Sequence, residues 1–95
     1  MGDGGRAVKI TVRRSGGFAG LTREWTVFVD SSSADSSEWM PLLSRLPWDD
    51  RPRLEPTPDR YVWIVRVSRR RITLPESRLE GPWRELVERV QARAD

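Results

Sequence analysis

Apolar and polar residues alternate from Ala7 to Arg14, with Val8, Ile10 and Val12 on one side and Lys9, Thr11 and Arg13 on the other. A period of two, rich in β-branched residues, predicts a half-buried strand. Ser15-Gly16-Gly17-Phe18-Ala19-Gly20 interrupts it with three glycines. Alternation resumes from Leu21 to Asp30, where Leu21, Arg23, Trp25, Val27 and Val29 oppose Thr22, Glu24, Thr26 and Phe28. Two such runs joined by a short glycine-rich segment predict an antiparallel hairpin. The connecting segment is longer than a two-residue turn, so its tip is expected to project.

A serine-rich stretch, 31–37, precedes a change of period. Trp39, Leu42, Leu43 and Leu46 fall at i, i+3, i+4 and i+7, one face of a helix. Asp35 and Glu38 fit a capping box loosely. Pro41 is tolerable only near a first turn, which places the helix start close to Ser36 or later, and Leu46-Pro47 ends it. Pro47 to Asp59 holds Pro47, Pro52, Pro56 and Pro58 and reads as a stiff, extended connection. Tyr61-Val62-Trp63-Ile64-Val65-Arg66-Val67 is apolar on both faces, as in a central strand. Ser68-Arg69-Arg70 is a turn, and Arg71 to Leu74 a short return strand. Pro75 to Glu80 crosses over with room for one helical turn. Gly81-Pro82 then opens a last helix, whose apolar face is Trp83, Leu86, Val87 and Val90.

Both halves thus follow the plan strand, turn, strand, helix. The fold class this predicts is α+β: a four-stranded antiparallel sheet in ββαββα order with two helices packed on one face, which buries both amphipathic helices at once. The chain of 95 residues suits a single domain over 7–92, with residues 1–6 as a disordered tail.

Composition then narrows the function. Neither histidine nor cysteine is present, so the sequence contains no thiol nucleophile, no Ser–His–Asp triad and no His/Cys zinc site. The chain reads as a binding protein and not an enzyme, with no cofactor. Seventeen basic residues against 14 acidic ones give a net charge of +3. All the basic residues except Lys9 are arginine, which lifts the isoelectric point more than the neutral-pH charge. No stretch is long and apolar enough for a membrane span, and the amino-terminal residues lack the pattern of a signal peptide. A cytoplasmic location is expected, with no membrane partner.

Among candidate sites, Asp49-Asp50 read as solvated loop charges, since adjacent side chains on an extended chain point apart. Arg69-Arg70-Arg71 offers phosphate contacts, but alternation would turn Arg70 away from its neighbours and no aromatic ring is interleaved for base stacking. Nucleic acid is therefore not the expected partner, and an Arg-rich nucleic-acid- or protein-binding module stands as the alternative function. Trp25, Trp39, Trp63 and Trp83 belong to predicted core faces, whereas Trp48 either covers the first helix or serves as an exposed anchor. Phe18, between small residues, either folds back under the sheet or presents an apolar anchor to a partner's pocket.

At this tip the sequence resembles a known family. A strand followed by Arg14-Ser15-Gly16-Gly17-Phe18-Ala19-Gly20-Leu21 is similar to the emfourin family, small cytoplasmic inhibitors of protealysin, a thermolysin-like zinc metallopeptidase. Leu46-Pro47, Pro58-Asp59-Arg60-Tyr61 and Thr73-Leu74-Pro75-Glu76 add to the likeness, which covers about residues 7–90. The serine-rich approach to the first helix and Pro41 depart from it.

The resemblance implies reversible, tight inhibition of thermolysin-family peptidases by a protein that is a monomer when free. Under it, Ser15, Gly16, Gly17, Phe18, Ala19 and Gly20 form the protease-binding loop, and Trp48, Asp59 and Arg60 are secondary contacts. Phe18 would fill the enzyme's apolar primed-side pocket, with the Gly17 carbonyl near the metal. Two other modes stay open: the loop blocks an exosite beside the cleft, or a carboxylate, Asp59 or Glu24, caps the zinc.

Overall fold

The computed structural model describes residues 7–16, 21–30, 36–50 and 61–94. Within them, β1 (Ala7–Gly16) and β2 (Arg23–Asp30) form the first hairpin. Helix α1 (Ser36–Ser44) follows, then β3 (Tyr61–Val67) and β4 (Arg70–Pro75), a 3₁₀ turn (Glu76–Arg78) and helix α2 (Pro82–Ala94). The order is ββαββα, and the four strands make one antiparallel sheet in the order β2-β1-β3-β4. The proposed tail, residues 1–6, lies outside the described residues.

Both helices cover the same side of the sheet. Ile10 and Val12 of β1, Trp25, Val27 and Val29 of β2, Trp63 and Val65 of β3, and Ile72 and Leu74 of β4 are all buried there. They meet Trp39 and Leu42 of α1, Leu46 just beyond it, and Trp83, Leu86, Val87 and Val90 of α2 in one hydrophobic cluster. Each fully buried aliphatic side chain contributes about 1.5–3 kcal/mol by leaving water. No polar or charged residue is buried among the described residues. Alternation therefore decides which side chains enter the core, and register fixes it: a slip by one residue would turn every strand inside out.

β3 lies between β1 and β4, which accounts for its two-sided apolar character. Several boundaries differ from the sequence expectation. β1 runs on through Ser15 and Gly16, because β3 continues to pair with it at Ser15↔Val62 and Gly16↔Tyr61 after β2 has parted from it at Arg14↔Arg23. β2 begins at Arg23, and Leu21, expected on the inward face, is 69% exposed. β4 begins at Arg70, so the turn after β3 is only Ser68-Arg69. Ser68 takes a φ of 54°, and its N–H donates to the Lys9 carbonyl at 3.0 Å.

Helix α1 starts at Ser36, as Pro41 led us to expect, but Pro41 sits in its second turn and not its first. The helix is correspondingly short and closes with Arg45 N–H to the Leu42 carbonyl and the Ser44 hydroxyl to the Pro41 carbonyl. Asp35, the expected cap, lies outside the described residues. At α2, Pro82 is the first helical residue and Gly81, with φ +60°, turns the chain into it, its carbonyl accepting from the Glu85 N–H. The two helices are tied by Arg89, which donates to the Glu38 carbonyl at 3.0 Å, and by Arg45, which pairs with Glu85 at 3.2 Å.

Candidate functional site

Strand alternation puts Arg14 on the same side as Val8, Ile10 and Val12, one step closer to the hairpin tip. Register brings Arg23 and Trp63 beside it on the neighbouring strands, with Tyr61 opposite Gly16 at the end of the ladder. The result is a stack at the base of the hairpin. The Arg14 guanidinium carbon lies 4.3 Å from the centre of the Tyr61 ring, 5.9 Å from Trp25 and 6.0 Å from Trp63. Arg23 lies 4.9 Å from the Trp25 ring, and Trp25 and Trp63 stack with centres 6.3 Å apart. The indole N–H of Trp63 donates to Glu76 Oε1 at 2.5 Å, which fastens the cluster to the 3₁₀ turn.

These rings attract the guanidinium through their quadrupoles. One polar atom is left over: Arg14 Nε is buried with no hydrogen-bond partner. That atom and the directly opposed Arg23 charge oppose the stack; the ring contacts and the packed side-chain stem favour it. The cluster joins β1, β2 and β3 where the chain leaves the sheet. Gly16, with φ 99°, supplies the left-handed residue at that point, a conformation that a side chain would resist.

The structure distributes the sequence-predicted site residues unevenly. Ser15 and Gly16 belong to β1 and are held by β3, so they form a fixed flank of the loop. Gly17, Phe18, Ala19 and Gly20 lie outside the described residues, as do Asp59 and Arg60. Exposed Leu21 marks the return of the chain toward β2.

Trp48 is half-buried and packs edge-on to Trp83, ring centres 5.0 Å apart, with Arg70 5.6 Å from its face. It packs against the core at the first turn of α2. Arg70 belongs to the Ile10–Val67–Arg70 row of the sheet, six residues or about 20 Å along β1 from Gly16. The structure therefore does not bring Trp48 to the tip. Glu24, an alternative zinc ligand, lies on the side of the sheet away from the helices and from the stack. Among the described residues no group of three or more His, Cys, Asp or Glu side chains could hold a metal ion. No described helix is long and apolar enough to cross a membrane.

The Arg14 stack escaped the sequence reading. Its signal was an arginine continuing an otherwise apolar alternation, but the aromatic partners come from β2 and β3, and only register reveals them.

The fold is thus a two-layer α+β unit in which β3 and the Arg14 stack hold the strand ends that flank the glycine-rich segment. The family model described as Emfourin matches residues 12–91, and the chain belongs to that family. Membership suggests a protease-inhibitor role, and the family is one of inhibitors and not of catalysts. No curated protein matches the chain, and no solved structure does.

Proposed function

We propose that this protein is a reversible, tight-binding inhibitor of thermolysin-family zinc metallopeptidases, acting through the loop Ser15 to Gly20. The observation that carries this reading is the Emfourin match over residues 12–91, which spans the whole Gly-Gly-Phe-Ala-Gly segment, β1 from Val12 onward and all of β2. Phe18 enters the enzyme's apolar primed-side pocket, and the glycines let the backbone lie close to the cleft. Holding Ser15 and Gly16 on β3, and bracing Arg14 among three rings, lowers the ordering cost of association. A loop clamped at its flanks also resists the distortion that water attack on a bound peptide requires.

The test is titration of purified protein into thermolysin and related peptidases, with residual hydrolysis followed over time. Activity falling in proportion to added protein, down to a stoichiometric end point, is the expected result. Full hydrolysis in the presence of excess protein across the family would refute the proposal.

A further inference from the structure

The side of the sheet away from the helices carries a second feature. Ile64 of β3 is half-buried at its centre. Arg13 is its direct neighbour on β1, Arg66 follows two residues later on β3, and Arg71 stands opposite Arg66 on β4. Together with Thr11 and Glu24 they line a shallow pocket of about 110 Å³. Arg45, Arg78, Arg84 and Arg89 all find carboxylates on or near the helices. Arg13, Arg66 and Arg71 make no ion pair among the described residues. Arg66 and Arg71 are exposed like charges in direct cross-strand register, an arrangement that is unfavourable in the free protein.

We propose that this pocket docks an acidic segment on the rim of the peptidase that receives the loop; the proposal rests on the inhibitory reading. The charge complementarity is specific in kind. Three guanidiniums around an apolar floor fit a glutamate, whose methylenes lie on Ile64 while its carboxylate takes bidentate hydrogen bonds. The volume suits one such group, since a water molecule occupies about 30 Å³ of liquid. Glu24, directly across the ladder from Arg13, lines the same pocket and offsets one of the three positive charges, so the excess that is left suits a single carboxylate better than a run of phosphates. β1 also connects the two sites: Arg13 is three residues, about 10 Å, from Gly16. A partner that engages the loop is therefore within reach of the pocket, whose charge steers the encounter.

The test compares wild type with the Arg66→Glu/Arg71→Glu double variant, whose altered side chains are exposed and outside the core. Association and dissociation with the inhibited peptidase are measured from about 20 mM to about 500 mM salt. The variant is expected to associate about 10- to 100-fold more slowly at low salt, with a flattened salt dependence, and to dissociate more than about threefold faster as the bidentate contacts are lost. Association and dissociation both unchanged, at low salt as at high, would overturn the proposal.

A second arm needs no peptidase. Amide chemical shifts of the wild-type protein are followed on adding a short all-glutamate peptide or a single-stranded oligothymidylate. The peptide is expected to move Thr11, Arg13, Ile64, Arg66 and Arg71 at low salt. No peptide shifts there, or tighter binding of the oligothymidylate to the same amides, would overturn the acidic-protein assignment. Peptide shifts at the pocket in a protein that inhibits no peptidase would uphold the acidic-segment site and remove the peptidase as its owner.

Discussion

The Arg14 stack gives a prediction whose size follows from the geometry. At 4.3 Å, Tyr61 is the one ring well inside the effective range of the guanidinium, while Trp25 and Trp63, at 5.9 and 6.0 Å, stand at its limit near 6 Å. A half-buried contact of this kind contributes about 1–2 kcal/mol. Opposing it are the buried, unpartnered Nε, at about 1–3 kcal/mol, and the like charge of Arg23 directly across the ladder, at about 0.2–1 kcal/mol. The opposing contributions exceed the ring contact by about 1 kcal/mol at their midpoints, a deficit that the packed stem offsets.

Replacing Arg14 by Met keeps most of the packed stem and removes both sides of this balance, so stability should stay within about 1 kcal/mol of wild type. The pair itself is isolated by a double-mutant cycle of Arg14→Met with Tyr61→Leu, which should return a coupling of about 1 kcal/mol. Urea unfolding followed by tryptophan fluorescence reads it out, since Trp25 and Trp63 lie in the cluster. A coupling below about 0.3 kcal/mol would show that the guanidinium does not lie on the ring. A loss above about 3 kcal/mol in Arg14→Met alone would show that the opposing contributions are wrongly assigned. If the stack braces the loop, Arg14→Met should also weaken inhibition by about tenfold, equivalent to about 1.4 kcal/mol of binding, while the fold stays intact.

Three further predictions test the scaffold. Leu86→Ala empties a fully buried position where α2 meets the sheet and should cost about 2–5 kcal/mol in chemical denaturation. Gly81→Ala meets no atom within 4 Å but must adopt φ +60°, so a loss of about 1–2 kcal/mol would come from backbone strain alone; an unchanged melting temperature would contradict that. Glu76→Ala leaves the Trp63 indole N–H without its acceptor and should destabilise by about 1–3 kcal/mol, whereas Glu76→Gln, which keeps an acceptor oxygen, should recover much of it.

The elements were legible because each carries its own period. Val8-Lys9-Ile10-Thr11-Val12 can present one apolar side only as a strand, Trp83, Leu86, Val87 and Val90 only as a helix, and Pro82 suits no helical position better than the first. Two-sided apolarity likewise placed β3 in the sheet interior. What local pattern does not contain is adjacency. The pairing of β1 with β3 extends β1 to Gly16, assembles the rings around Arg14 and gathers Arg13, Arg66 and Arg71 around Ile64. Each β1–β3 pair joins residues 45 or more positions apart, beyond the reach of any periodicity. Trp48 is a further case: its sequence context left open what it touches, and the structure packs it edge-on to Trp83 in the first turn of α2.

The central claim concerns Phe18, and its most direct measurement is the inhibition constant of Phe18→Ala against a thermolysin-family peptidase that wild type inhibits, with the melting temperature recorded beside it. An anchor residue in a partner's pocket should raise that constant by at least about 30-fold, or 2 kcal/mol, at unchanged thermal stability. Inhibition as strong as wild type's, in an equally stable protein, would contradict the account.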